Sequence, residues 1–149
     1  MRIKNVFMCG LLVLAVMMSG CKTSKLIEDS LSIAPKDVAG KTLKVDGATI
    51  HFTSNNAGTI SDYIGTATRS TVSYSRTSAV TANVEFFYHS EDKHNMSERR
   101  YTLELSFADE TSGLANGSYT YSFDLNKGSK YGRSESGTGT VKDQVFSLE

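Results

Sequence analysis

The sequence predicts an all-β fold: an antiparallel up-and-down meander of about eight strands closing into a barrel or a strongly curled sandwich. Three observations predict it. From Gly40 onward, apolar and polar residues alternate with a period of two. The chain is rich in Ser, Thr, Tyr and Val, which suit a pleated surface, and has 1 proline and no tryptophan. Turn-forming residues separate the alternating runs at short intervals, and no segment of this region has a helical period.

The first hairpin is the clearest. In "KTLKVDGATIHFTS" a type I′ turn at Asp46-Gly47 sets Val45 opposite Ala48 and Leu43 opposite Ile50, so the apolar residues share one face with Phe52. Asn55-Asn56-Ala57-Gly58 is the next turn, followed by a weakly patterned segment, "TISDYIGTATRS". Val72 and Tyr74 align in "STVSYSR", and the chain turns again between Thr77 and Thr81. In "ANVEFFYH" Ala82, Val84, Phe86 and Tyr88 face inward, leaving Phe87 on the polar side. Tyr101, Leu103, Leu105 and Phe107 form the next inward row, and Tyr119, Tyr121, Phe123 and Leu125 the one after it. "SGTGTV" and "VFSLE" are read as two closing strands, the latter with Phe146 and Leu148 inward. Short connections make successive strands neighbours, and closure removes the exposed edges that a long sheet would carry.

The N-terminal region has a different grammar. Arg2 and Lys4 precede an uncharged run from Val6 to Gly20, the order of a secretory signal peptide. A bilayer span needs ~20 apolar residues, and the run bounded by Lys4 and Lys22 barely reaches that length. Met18-Ser19-Gly20-Cys21 resembles the lipobox of bacterial lipoproteins, with Met where Leu is more usual. The resemblance implies that the signal peptidase reads Met18, Ser19 and Gly20, and that Cys21 becomes the mature N-terminus. It also implies lipid attachment at Cys21, through a thioether-linked diacylglycerol and an N-acyl chain. No other cofactor is expected. Each buried methylene of such an anchor contributes ~0.8 kcal/mol, so the mature chain is expected to sit on a membrane without crossing it. Lys22, rather than Asp, favours the outer membrane. The expected organisation is a signal peptide over 1–20, a lipidated cysteine and tether over 21–39, and one β-domain over 40–149.

A second resemblance lies in "STVSYSRTSAVTANVEFFY", "YTLELSF", "GSYTYSFDL" and "SGTGTV". These phrases are similar to a repeated bacterial extracellular β-domain, which implies a structural or adhesive role. The similarity departs at "HSEDKHNMSERR", expected to be a longer charged loop.

Processing after Gly20 would remove Cys9 and leave Cys21 acylated, so neither a disulfide nor a thiolate metal site is expected. It would also leave 14 basic against 16 acidic residues, a net charge of about −2. A near-neutral domain without a basic run has no electrostatic case for nucleic acid. His51, His89 and His94 have no metal-binding spacing and are read as solvated surface residues. No serine sits in a GxSxG elbow, "SGLANGS" is read as a loop, and no carboxylate is expected to point inward. An enzyme is therefore not expected. The binding candidates are Phe87, on its polar face, and Lys93, Arg99 and Arg100 in the charged stretch.

Three functions compete. The first is a lipid-anchored, non-catalytic surface or envelope module that meets a protein partner. The second is a lipocalin-like carrier of a small apolar ligand. Ala39-Gly40-Lys41-Thr42 resembles the opening of a lipocalin barrel, although that family's Trp is missing. The third is an inhibitor of a wall-degrading hydrolase, resembling small lysozyme-inhibiting lipoproteins, whose usual cysteines the mature chain would lack.

Overall fold

The computed structural model describes residues 32–62 and 65–149; Met18, Ser19, Gly20 and Cys21 lie outside the described residues. The chain divides into Met1–Ser32 and Ile33–Glu149, and the strands of the described residues lie in the second unit. β1 (Thr42–Val45) and β2 (Ala48–Ser54) form the expected hairpin, with Val45 opposite Ala48 and Leu43 opposite Ile50. Asp46 and Gly47 have φ of 48° and 77°, both positive as the type I′ turn requires. There follow β3 (Ala57–Asp62), the two-residue β4 (Gly65–Thr66), β5 (Arg69–Arg76) and β6 (Thr81–Glu91). β7 (Met96–Phe107), β8 (Ser112–Leu125) and β9 (Arg133–Leu148) complete the sheet.

The strands form one 9-stranded antiparallel sheet in the order β4-β3-β2-β1-β9-β8-β7-β6-β5. First and last strands pair, Leu43 with Leu148 and Lys44 with Ser147. Reciprocal backbone hydrogen bonds between Thr42 and Glu149 of 2.7 and 2.9 Å extend that junction. The seam lies instead in the middle of the sequence. There the Tyr74 amide donates to Asn55 O at 2.7 Å, and Ser70 Oγ to Gly58 O at 3.4 Å, bringing β5 against β3. The expected meander is thus a nearly closed barrel.

Its interior is filled by the rows read from the sequence. Leu43, Val45, Ile50, Phe52, Val84 and Phe86 are buried, as are Tyr101, Leu103, Leu105 and Phe146. At ~25 cal/mol per Å² of apolar surface removed from water, this common core is the main force holding the sheet closed.

Three segments differ from expectation. "HSEDKHNMSERR" is mostly strand, because β6 runs to Glu91 and β7 starts at Met96. Its loop is only residues 92–95, since the Asp92 carboxylate accepts the amides of His94 and Asn95, each at 2.7 Å. "SGLANGS" opens β8 rather than forming a loop: inward Gly113, Ala115 and Gly117 oppose the bulky Phe107, Leu105 and Leu103, so small residues replace the expected apolar ones. "SGTGTV" and "VFSLE" are one strand, β9, carried through a register shift opposite Ala115/Gly117.

The compact unit begins before Gly40. Ala34 and Val38 are buried, and the amides of Ile33 and Ala34 both donate to Ala79 O at 2.9 Å. Asn55 holds the same strap from both sides, accepting from the Val38 amide and donating to Lys36 O, each at 2.9 Å. Tyr74 Oη donates to Pro35 O at 2.7 Å. The strap closes one end of the barrel, the base, which also carries the β5–β6 and β7–β8 turns and Glu149. The β1–β2 turn and the β6–β7 and β8–β9 loops mark the other end, the tip.

Truncation of Leu103 to Ala should cost ~2–5 kcal/mol, read as a lower urea midpoint of the full chain. At the base, Asp109 accepts from Ser112 Oγ at 2.7 Å and from the Thr111 amide and hydroxyl, each at 2.8 Å. These bonds, that from Ser112 foremost, hold its carboxyl at about 2, below its ordinary 3.8. A carboxyl depressed by folding stabilises above its unfolded pKa and loses that contribution as pH falls through the folded one. The urea midpoint should therefore drop between pH 3.8 and about 2, and Asp109→Asn should flatten that drop. Identical pH profiles for the two proteins would contradict the assignment.

Candidate functional site

The tip is uneven because the strands differ in length. β7, β8 and β9 have 12, 14 and 16 residues against 4 in β1 and 7 in β2, so they continue past the Asp46-Gly47 turn. Beyond the turn, the inward face of these long strands is no longer roofed by a facing hairpin. Tyr119, Tyr121 and Phe123 of β8 continue the core row there and are only half-buried.

The aromatic side chains form one continuous series. Phe86 and Tyr101 stack with centroids 4.5 Å apart and planes 12° from parallel, and Tyr101 stacks on Tyr119 at 5.0 Å and 26°. Tyr119 and Tyr121 follow at 6.2 Å, then Tyr121 and Phe123 at 6.2 Å and 12°. Each good aromatic pair contributes ~0.5–1.5 kcal/mol beyond its area. The series starts inside the core and ends at the surface.

Two glycines give these rings their attitude. Gly139 stands opposite Tyr119 in β9, and Gly137 opposite Tyr121. A Cβ on Gly139 would overlap Cζ and Oη of Tyr119, and one on Gly137 would lie 2.9 Å from Tyr121 Oη. The tyrosines therefore lie across β9 in space that any other residue would occupy.

Charged groups at the rim hold the outer rings. Tyr121 Oη donates to Glu135 Oε1 at 3.0 Å, Arg133 pairs with Glu135, and the Arg133 guanidinium lies 5.9 Å from the Phe123 centroid. The Glu135 carboxylate raises the Tyr121 pKa, while hydrogen bonds from Tyr121 and then Arg133 lower that of Glu135. Deeper in, Tyr101 Oη donates to Asp46 Oδ2 at 3.1 Å and accepts from Arg99 Nη1 at 3.3 Å. Burial pushes Tyr101 up to about 12, against the opposing Arg99 hydrogen bond.

A groove of about 350 Å³ lies against the outer part of this face. Tyr121, Phe123, Leu125 and Met96 supply its apolar lining. Ser97 contributes a hydroxyl from the inward row, Ser122 and Asn95 complete the wall, the Asn95 amide bonded to the Asp92 carboxylate and the Asn126 amide, and Arg99 lies at its inner side. Its volume falls within the range typical of small-ligand sites.

The sequence candidates separate. Phe87 and Arg100 are cross-strand neighbours on the convex face, where the guanidinium lies 5.0 Å from the Phe87 centroid. Arg99 points the opposite way, into the tip. Lys93 stands exposed in the loop at residues 92–95, apart from both. Tyr121 and Phe123, expected in the core, form the groove, and Glu135 is a carboxylate on the inward face where none was expected. The available signal was the opposition of "GSYTYSF" to "SESGTG", large rings against glycines.

One histidine corrects expectation. His89 is only 4% exposed, not solvated, because the backbone at Thr68 lies against it, with the Thr68 amide donating to His89 O. Its ring meets Glu98 at 2.8 Å and Glu91 at 3.5 Å. His51 and His94 are exposed as expected. Among the described residues, no group of three or more His, Cys, Asp or Glu side chains could hold a metal ion, and no helix is long and apolar enough to cross a membrane.

Comparison with protein-family models, curated proteins and solved structures finds no match to this chain.

Replacing Gly139 by Val should displace the Tyr119 ring and cost ~1–3 kcal/mol, as overpacking does. The checks are the urea midpoint and the near-ultraviolet dichroism of the tyrosines. A variant unchanged in both would show that the ring does not lie over β9.

Proposed function

We propose that this protein is a lipid-anchored, non-catalytic module of a bacterial envelope, held by acylated Cys21 and meeting its partner through the barrel tip. The polarity of the barrel carries this reading. The strap arrives at the base, where Ile33 and Ala34 bond to Ala79 O, and Glu149 ends there too. The half-buried aromatic face is at the other end. An anchor at Cys21 leads to the base through residues that, fully extended, reach up to ~40 Å, leaving the tip free to face a partner.

The filled interior supports an interaction module over a lipocalin-like carrier. A carrier needs a cavity of several hundred Å³ inside its barrel. Here Phe86, Tyr101, Leu103 and Leu105 occupy that space, and the groove lies outside the closed part. Inhibition of a wall-degrading hydrolase would also use the tip, and lysozyme unaffected by the purified protein would dismiss it.

Cys21→Ser should abolish labelling by radioactive palmitate and move the chain from the membrane pellet to the soluble fraction. A mutant that labels and pellets normally would refute the anchor. Lys22→Asp tests the membrane, and outer-membrane fractionation should weaken if position 22 reports sorting.

A further inference from the structure

We propose that the groove at the tip is a binding site for a neutral glycan, with one or two sugar rings stacked on Tyr121 and Phe123. This deepens the interaction reading above and rests on it for the role of the tip. Gly137 lets Tyr121 lie across β9, Phe123 stacks nearly parallel to it, Glu135 holds the Tyr121 hydroxyl, and the Arg133 guanidinium lies over one face of Phe123. Such a preorganised aromatic surface loses little conformational freedom when a ligand settles on it.

The chemistry of the lining selects the ligand. A pyranose has a face of C–H bonds, which suits the negative face of an aromatic ring, and a rim of hydroxyls that donate and accept. The groove offers both parts: the aromatic pair as floor, and the Ser97 hydroxyl and the Arg99 guanidinium as hydrogen-bonding groups. An acyl chain would use only the floor and would cover the Ser97 hydroxyl and the Arg99 guanidinium without adding a hydrogen bond to either. Single-stranded nucleic acid also stacks on aromatic rows, but it needs a basic groove. Among the described residues, the only formally charged side chain lining this groove is Arg99, and its guanidinium is engaged with Tyr101 Oη. A single guanidinium cannot track a phosphate backbone, so a polyanion is disfavoured.

The test is titration calorimetry on the full chain in a zwitterionic, sugar-free detergent. The probes are cellotetraose and chitotetraose, with laurate and an oligothymidylate as comparators. At least one tetrasaccharide should bind saturably, and Tyr121→Ala and Phe123→Ala should each weaken it at least ~tenfold. Tyr121→Phe, which keeps the ring and loses the Glu135 bond, should stay within about threefold of the parent. Leu114→Ala, exposed on the convex face, should change nothing. Should an alanine variant fail to fold by circular dichroism, Phe123→Leu removes the aromatic face while retaining apolar bulk and should show the same loss. Absence of saturable saccharide binding up to about 10 mM would overturn the proposal. So would saccharide binding indifferent to both aromatic variants, or saturable binding of laurate or oligothymidylate alone. Because Cys21→Ser fractionation reads the anchor independently, failed titration with normal anchoring sinks the glycan and leaves the anchored module standing.

Discussion

The packing of Tyr101 is the constraint on which the rest of the barrel depends. Its ring is sandwiched between Phe86 and Tyr119, and its hydroxyl bonds the turn of the first hairpin through Asp46. One side chain thereby joins the long strands to the short hairpin roofing the core. A buried phenol needs a hydrogen-bond partner, since an unsatisfied hydroxyl costs ~1–3 kcal/mol. Asp46 and Arg99 both meet that need, and their positions mark where the closed barrel gives way to the open tip.

The same row of rings has two physical regimes. Below the turn it is dry, crowded by aliphatic side chains and suited to holding the sheet closed. Above the turn the facing hairpin is missing and the rings are half-buried. Glycines in β9 keep the tyrosines lying across the strand, while Glu135 holds the Tyr121 hydroxyl and Arg133 lies over the Phe123 ring. A row that began as core packing thus ends as a half-exposed aromatic platform because one pair of strands stops short. The tip also lies away from the base, where the chain arrives.

Much of the architecture was legible because inward rows such as Ala82-Val84-Phe86-Tyr88 and Tyr101-Leu103-Leu105-Phe107 declare their period. The Asp46-Gly47 turn fixed a register that the structure repeats. What escaped were strands whose inward residues are not apolar. Gly113, Ala115 and Gly117 hid the first half of β8 because they answer to bulky partners in β7, a relation between strands rather than within one. Arg99 and Arg100 look like one basic pair, yet strand alternation sends them to opposite faces. His89 was misplaced because its burial comes from a distant segment around Thr68. The groove itself depends on differences in strand length, which local pattern does not encode.

Tyrosine reactivity measures the division between filled core and open platform most directly. Acetylation of the full chain with N-acetylimidazole, followed by peptide mass spectrometry, ranks the phenols by access. Tyr131, 75% exposed, should react first and the half-buried Tyr119 and Tyr121 more slowly, while Tyr88 and Tyr101, 1% and 0% exposed, stay protected until the chain unfolds. If Tyr101 reacts as fast as Tyr121 in the folded protein, the interior is hollow and open to solvent, and the account of a filled barrel ending in an aromatic platform is wrong.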